Sequence, residues 1–261
     1  MKIGSSNDAE AVKIQYSSSN GLNTRITFHD LYSTNKDGYG NWILSNYEIF
    51  EGAKVLELGC GTGSVWAGHD DLIARCDMLM LTDLSEGMLS VAREKIGERK
   101  NVTYASVDIQ DIPHEDNSFD VVIANSMLYH VPDIKKGIRE VRRVLKERGV
   151  FYCATYGEHN FTDVLAEWFG LVGESFKPNH NFTMQNGKQF LKESFTNVAA
   201  RFYEDSLHVT NIEDLVDYLQ SLVSLKAIAD LPADRIHEIL MQHSSAGTIE
   251  LPKEYGLFIC K

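Results

Sequence analysis

A short apolar run that leads into a glycine-rich turn constrains the fold of this chain more than any other segment. Residues 54–63 read Lys-Val-Leu-Glu-Leu-Gly-Cys-Gly-Thr-Gly, with glycines at 59, 61 and 63. The run is long enough for a buried strand, and glycine permits backbone conformations and close approaches that a Cβ blocks. Glycine-rich loops after a first strand cradle nucleotides, so the segment predicts the opening of a nucleotide-binding α/β unit.

Two residues, one within this segment and one directly after it, argue against a dinucleotide as the ligand. The dinucleotide pattern G-x-G-x-x-G requires glycine at the position of Ser64, and Glu57 stands at the mouth of the loop. A carboxylate there repels a pyrophosphate and favours a cationic ligand. The segment therefore predicts a nucleoside site for a ligand other than a dinucleotide.

The chain from 54 to 155 alternates apolar runs with helical patterns. Because strands at this spacing are joined by helices, they predict right-handed βαβ units and a parallel sheet covered on both faces. After residue 196 two further strands, separated by helices, predict an antiparallel pair at the sheet edge. The predicted strands are 55–58, 78–82, 102–107, 121–124, 150–154, 197–203 and 256–260; the predicted helices are 64–74, 85–96, 133–146, 212–225 and 233–242.

Two aromatic-rich regions lie outside this alternation. We interpret residues 1–50 as a polar tail followed by a lid segment, and residues 51–261 as the main domain with a substrate lid inserted at 156–196. Lids exclude water, and ligand pockets are rich in aromatic surface. The alternative is that these aromatic side chains only pack helices onto the core.

The amino-acid composition limits which kinds of partner and which cell compartment we expect for this chain. The formal charge is −12 and no dense Lys/Arg block occurs, which disfavours nucleic acid because such binding rests on neutralising phosphates. No apolar run approaches the roughly 20 residues that cross a bilayer, and the first residues lack a signal-peptide core, so we expect a cytoplasmic protein. The four cysteines are scattered without a C-x-x-C pair, which indicates reduced thiols and no metal site.

Polar residues follow several predicted strands, at the edge where doubly wound sheets bind ligands. Asp83 follows the second strand, where a carboxylate can accept hydrogen bonds from both ribose hydroxyls. Asp108 follows the third strand and could hold an exocyclic adenine amine, with Ile109 against the ring face. Asn125 closes the fourth strand. Each signal alone is weak, since Asp after a strand is often a turn former, but the ordered set is specific.

These residues resemble the motifs of one large enzyme family. The chain is similar to the class I S-adenosylmethionine-dependent methyltransferases, of the broad type that acts on small molecules and includes the quinone-ring methyltransferases. The resemblance covers residues 54–155 and loosens on either side. The segments that carry it are 55–63, 82–89, 108–109, 119–122, 127–131 and 141–146 with Gly149.

The resemblance implies a Rossmann-like, seven-stranded, mostly parallel sheet whose last strand is antiparallel, with S-adenosylmethionine as cofactor. Glu57 would then face an ammonium and a sulfonium rather than phosphates, and Gly59 and Gly61 would let the backbone approach. The implied cofactor-binding residues are Glu57, Gly59, Cys60, Gly61, Gly63, Asp83, Leu84, Met88, Asp108, Ile109 and Asn125.

Methyl transfer by in-line displacement needs alignment and desolvation, and a general base only where the acceptor loses a proton. His130, just past the fourth strand, is the first candidate base, with a purely structural loop histidine as the alternative. Tyr32 is the second candidate catalytic residue. Tyr32, Tyr39 and Trp42 could cover the methyl group, and His29, Tyr156 and His159 could face the substrate.

We expect a small-molecule methyltransferase. The alternatives are an RNA or protein methyltransferase on the same fold, a non-catalytic S-adenosylmethionine-binding protein and, more remotely, a nicotinamide dehydrogenase. The acceptor and the oligomeric state do not follow from the sequence.

Overall fold

A computed structural model describes residues 20–171, 178–222 and 225–261. Parts of the tail and lid predictions, at 1–19 and 172–177, therefore lie outside the described residues. The strands are Ala53–Leu58 (β1), Cys76–Thr82 (β2), Val102–Ala105 (β3), Phe119–Asn125 (β4), Leu145–Tyr156 (β5), Val198–Val209 (β6) and Ile249–Cys260 (β7). The helices are Asn20–Tyr32 (α1), Tyr39–Ser45 (α2), Asp70–Arg75 (α3), Glu86–Ile96 (α4), Ile134–Val144 (α5), Phe161–Trp168 (α6), Gly187–Leu191 (α7), Ile212–Gln220 (α8), Lys226–Ala229 (α9) and Ala233–Gln242 (α10).

The seven strands form one sheet in the order β3-β2-β1-β4-β5-β7-β6. Neighbours from β3 to β5 are parallel, whereas β7 runs antiparallel to both β5 and β6. The predicted doubly wound sheet with an antiparallel last strand is confirmed. Strand order reverses between β1 and β4, so this fold provides a ligand crevice beyond their carboxyl ends.

Local sequence explains where the flanking helices begin. The Ser85 hydroxyl accepts a hydrogen bond from Met88 N at 3.3 Å, and the Asp133 carboxylate accepts one from Lys136 N at 2.9 Å. Both side chains satisfy a backbone N–H that the first helical turn leaves unpaired. Among the described residues no helix is both long and apolar enough to cross a membrane.

Two predicted helices were too long. Residues 64–68 form turns instead of the first part of a helix, and only Asp70–Arg75 is helical. Gly68, at φ 83, adopts a left-handed conformation that interrupts helical geometry. The helix predicted over 212–225 ends at Gln220, and residues 223–224 lie outside the described residues.

The hydrophobic interior divides into three clusters. Two lie on the faces of the sheet and are built mainly from its strands and the helices that cover them. The third, which we call the second core, contains side chains from α1, α6, α8, α9 and α10 together with β6 and β7. Within it, Leu207 and Val209 of β6 lie against Ile249 and Leu251 of β7.

Gly63 offers a direct test of loop packing. At φ 67 its backbone is left-handed, and a Cβ there would lie 2.7 Å from Ile96 Cδ1 and 3.1 Å from Ala92 Cβ. We expect Gly63→Ala to lower the free energy of unfolding by about 2–4 kcal/mol, because backbone strain and overpacking add. Gly52→Ala is the matched control: φ is 83 but nothing lies within 4 Å, so strain alone remains. Urea denaturation of both variants measures the free energies of unfolding. Equal losses in the two variants would show that overpacking contributes nothing at Gly63.

Candidate cofactor and acceptor site

A cavity of about 400 Å³ lies at the carboxyl ends of the parallel strands. This is within the range of pockets that hold small ligands. The loops after β1, β2, β3 and β4 form its walls, and α2 contributes residues from the N-terminal side. The predicted residues that line it are Tyr39, Glu57, Gly59, Cys60, Gly61, Asp83, Leu84, Met88, Asp108, Ile109, Asn125 and His130.

The glycine loop turns sharply between β1 and the residues that follow. Gly59 and Gly61 have φ values of 71 and 56, a left-handed backbone that glycine adopts without a steric cost. A Cβ added at Gly61 would meet no protein atom within 4 Å, although the residue lines the cavity. Gly61 therefore leaves backbone exposed to the space where a ligand would lie, as the loop composition predicted.

Asp83 joins two of the loops. Its Oδ2 accepts a hydrogen bond from Gly61 N at 3.0 Å, and its Oδ1 accepts one from Ser85 N at 2.8 Å. Burial raises the pKa of this carboxyl above its usual value, while those two hydrogen bonds oppose the rise. Because a carboxylate offers about four lone-pair sites, two acceptor positions are left for a ligand.

Glu57 is buried at the end of β1, with 2% of the residue exposed. Its Oε2 accepts a hydrogen bond from the Trp66 indole Nε1 at 2.5 Å, and its Oε1 accepts one from Asn125 Nδ2 at 3.3 Å. Burial raises the pKa of Glu57 to about 7, against the lowering effect of both hydrogen bonds and with a further rise from the charge of Asp83. A cation in the cavity would relieve this unfavourable burial of charge.

Asn125 provides a second acceptor beside Glu57. Its Nδ2 donates to Tyr47 Oη at 2.7 Å as well as to Glu57. Its Oδ1 is buried and has no hydrogen-bond partner among the described residues. A buried acceptor without a donor is costly, so a ligand N–H or O–H would complete the site.

The charge of the lining suits a cationic nucleoside. Three carboxylates, those of Glu57, Asp83 and Asp108, line the cavity, and no Lys or Arg is among its described lining residues. Such a lining favours an ammonium and a sulfonium and opposes phosphates. The residues present thus fit S-adenosylmethionine.

Six predicted site residues do not line the cavity. Gly63 packs against α4, and Trp42 stacks on Tyr39 with ring centroids 5.8 Å apart. Tyr156 Oη donates to Asn179 O, and His159 N donates to Glu254 Oε2. The remaining two, His29 and Tyr32, lie in or against the second core.

The Tyr32 hydroxyl makes a hydrogen bond to another side chain of the protein and lies away from the cavity. Its hydroxyl donates to the Asp214 carboxylate of α8. Burial raises the pKa of Tyr32 to about 12, and the hydrogen bond to Asp214 and its charge add to the rise. His29 packs edge-on against Phe161 and Tyr218. Of the two candidate catalytic residues, only His130 lines the cavity.

Half of the described lining residues were not predicted from the sequence, and three residues that were missed at the site are informative. Trp66 is fully buried and touches the carboxylate of Glu57, but its position inside a predicted helix concealed this role. Ser126 lines the cavity directly after β4 with a left-handed φ of 52, a strained conformation for a non-glycine residue. Ile43 reaches the cavity from α2. The position of Ser126 after a strand was the one signal available from sequence.

Fold and site together define a nucleoside-binding α/β protein, and comparisons with known proteins specify the family. A family described as methyltransferase domain matches residues 56–153. The demethylmenaquinone methyltransferase of Staphylococcus aureus is 33% identical over 168 residues, which cover 59% of this chain and 70% of that protein. The chain therefore belongs to the class I S-adenosylmethionine-dependent methyltransferases, and S-adenosylmethionine is its cofactor.

Solved structures show the same fold at low identity. An S-adenosylmethionine-dependent methyltransferase from Aquifex aeolicus is 16% identical, with a TM-score of 0.50 over 72% of this chain and 93% of its own. The phosphoethanolamine N-methyltransferase 2 of Haemonchus contortus, in complex with phosphomonomethylethanolamine and S-adenosylhomocysteine, is 17% identical, with a TM-score of 0.57 over 99% of this chain and 60% of its own.

Proposed function

We propose that this enzyme transfers a methyl group to a small, largely apolar acceptor that carries no anionic group. The observation that carries this proposal is the lining of the cavity: apolar side chains and three carboxylates, without Lys or Arg among its described residues. The apolar wall includes Ile43, Val65, Met88, Ile109, Met127 and Val131. The 33% identity to a demethylmenaquinone methyltransferase supports an apolar ring as acceptor.

The negative lining argues against a phosphorylated acceptor of the kind bound by the nematode relative. Glu57, Asp83 and Asp108, which we assign to the cofactor, add negative potential throughout the cavity, and no Lys or Arg among its described lining residues would pair with a phosphate. The formal charge of −12 likewise opposes RNA.

S-adenosylmethionine, when bound, would supply a methyl group on a sulfonium, and an acceptor that attacks the methyl carbon would displace the neutral thioether S-adenosylhomocysteine. The protein's contribution is to align the two reactants and to exclude water. We assign Glu57 and Asn125 to the methionyl ammonium, Asp83 to the ribose, and Asp108 with Ile109 to the adenine. His130, in the turn Leu128–His130 that follows β4, would accept a proton from a hydroxylated acceptor.

An acceptor panel with labelled S-adenosylmethionine tests the proposal. The probes are an uncharged naphthohydroquinone, its carboxylate-bearing analogue, bulk tRNA and a protein extract freed of small molecules. We expect a methylated product, identified by mass spectrometry, from the uncharged ring and at least tenfold less from the carboxylate. Transfer only to tRNA or protein would contradict the proposal, and cofactor binding without transfer across an extended panel of uncharged rings and amines would indicate a non-catalytic protein.

A further inference from the structure

The β6–β7 ribbon extends beyond the rest of the sheet. β5 pairs with β7 only from Phe151↔Cys260 to Tyr156↔Tyr255, whereas β6 and β7 stay paired as far as Val209↔Ile249. The ribbon extension, defined as residues 204–209 and 249–254, therefore projects past the carboxyl end of β5 by about 20 Å at the usual rise per residue. Because β5 runs parallel to β4, the extension projects from the same end of the strands at which the cavity lies.

A buried ion pair joins the two strands of this extension. Asp205 and Lys253 are directly opposite each other, and Lys253 Nζ donates to Asp205 Oδ2. The backbones reach the surface, but the side chains of Lys253 and Asp205 are only 7% and 0% exposed. Burying an ion pair costs desolvation that often equals its attraction, so stability alone does not account for it.

The pair also holds the connection between α1 and α2. Asp205 Oδ1 accepts hydrogen bonds from Asn35 N at 2.9 Å and from Thr34 Oγ1 at 3.2 Å. Lys253 Nζ donates to Ser33 Oγ at 2.7 Å. Residues 33–35 are thus tethered to the ribbon extension through both members of the ion pair.

The tethered connection leads directly into the wall of the cavity. α2 begins at Tyr39, and Tyr39, Gly40 and Ile43 line the cavity. The Tyr39 ring lies 5.2 Å from that of Tyr255 and 5.3 Å from that of Tyr203, so it rests on the same two strands. The tether and the aromatic contacts place α2 at one position over the cofactor loops.

We propose that Asp205 and Lys253 are positioning residues that hold α2 over the cavity and thereby set the affinity for S-adenosylmethionine. Neither residue is among those that line the cavity, so both act through residues 33–45. The affinity for S-adenosylmethionine can be measured without an acceptor, so the role of Asp205 and Lys253 can be tested before the acceptor is identified.

Two variants test it. Asp205→Asn removes one charge of the pair, and Thr34→Val removes the Thr34 hydroxyl from the tether at an exposed, nearly isosteric position while both charges remain. We expect the dissociation constant for S-adenosylmethionine, measured by calorimetry, to rise about tenfold in Asp205→Asn and about threefold in Thr34→Val. Amide hydrogen exchange in 39–45 of the ligand-free variants should accelerate, while exchange in Ala53–Leu58 and Phe119–Asn125 stays unchanged.

The matched control is an exposed ion pair. Lys226, the first residue of α9, and Asp230, which directly follows this helix, form an i,i+4 bridge with side chains 72% and 60% exposed, and Asp230→Asn should change neither readout. A folded Asp205→Asn protein with unchanged affinity would overturn the proposal, whatever the exchange in 39–45. Equal acceleration in the sheet would overturn it as well, because the effect would then be global destabilisation. If Asp205→Asn does not fold, the same measurements of affinity and exchange on Thr34→Val test the proposal.

Discussion

Asp83→Ala is expected to weaken S-adenosylmethionine binding by about 100-fold or more. The substitution removes the proposed ribose contacts, and hydrogen bonds to a charged group contribute about 1.5–3 kcal/mol each. It also removes the acceptors of Gly61 N and Ser85 N, which hold the loops after β1 and β2 in place. Isothermal titration calorimetry with S-adenosylmethionine measures the loss.

A second carboxylate on the same strand serves as the control. Asp77 is exposed near the opposite end of β2, away from the cavity, so Asp77→Ala should bind as the wild type does. Asp83→Asn, which keeps one acceptor oxygen, should give an intermediate affinity. If Asp83→Ala bound the cofactor with wild-type affinity, the assignment of the ribose site would be wrong.

Glu57→Gln is expected to remove most of the pH dependence of cofactor binding. Because the pKa of Glu57 is raised to about 7 and a cationic ligand binds its ionised form, wild-type affinity should rise with pH. Between pH 6 and pH 8 we expect an increase of up to about tenfold, which levels off above pH 7. The variant should bind about 10- to 100-fold more weakly at pH 8, with a flatter profile.

The same substitution also changes how the stability of the ligand-free protein depends on pH. A carboxyl whose pKa is raised from 4.5 to about 7 contributes stability that is complete below pH 4.5 and is lost as pH rises through 7. The loss amounts to about 3 kcal/mol at most. The stability of Glu57→Gln relative to the wild type, measured by urea denaturation, should therefore increase from pH 5 to pH 8, on top of a pH-independent loss because Gln accepts from only one of the donors Trp66 and Asn125. A pH-independent difference would show that Glu57 does not titrate in this range.

The local sequence pattern was sufficient to predict the type of sheet and about half of the residues that line the cavity. Each strand from β1 to β5 contains a short apolar run, and the carboxyl ends of such strands meet at one edge. Asp83, Asp108 and Asn125 could therefore be grouped from the amino-acid sequence alone. The glycines at 59 and 61 indicated the loop because few other residues adopt its backbone conformation.

The remaining features depend on partners that are distant in sequence. Asp205 and Lys253 are 48 positions apart, and neither is unusual in its own segment. Pro252-Lys253-Glu254 reads as a break in a strand, yet cross-strand pairing with β6 continues through it. Tyr32 looked available for catalysis because nothing near it in sequence indicated Asp214 as its partner.

The second core has a consequence for how such enzymes diverge. All of its buried members, from Phe28 to Leu251, lie outside residues 56–153, the stretch that the methyltransferase domain family matches. Substitutions there can accumulate without disturbing the packing beneath the cofactor loops. None of the buried members of this cluster lines the cavity, so its side chains can be exchanged as a set while the lining that would meet cofactor and acceptor stays the same.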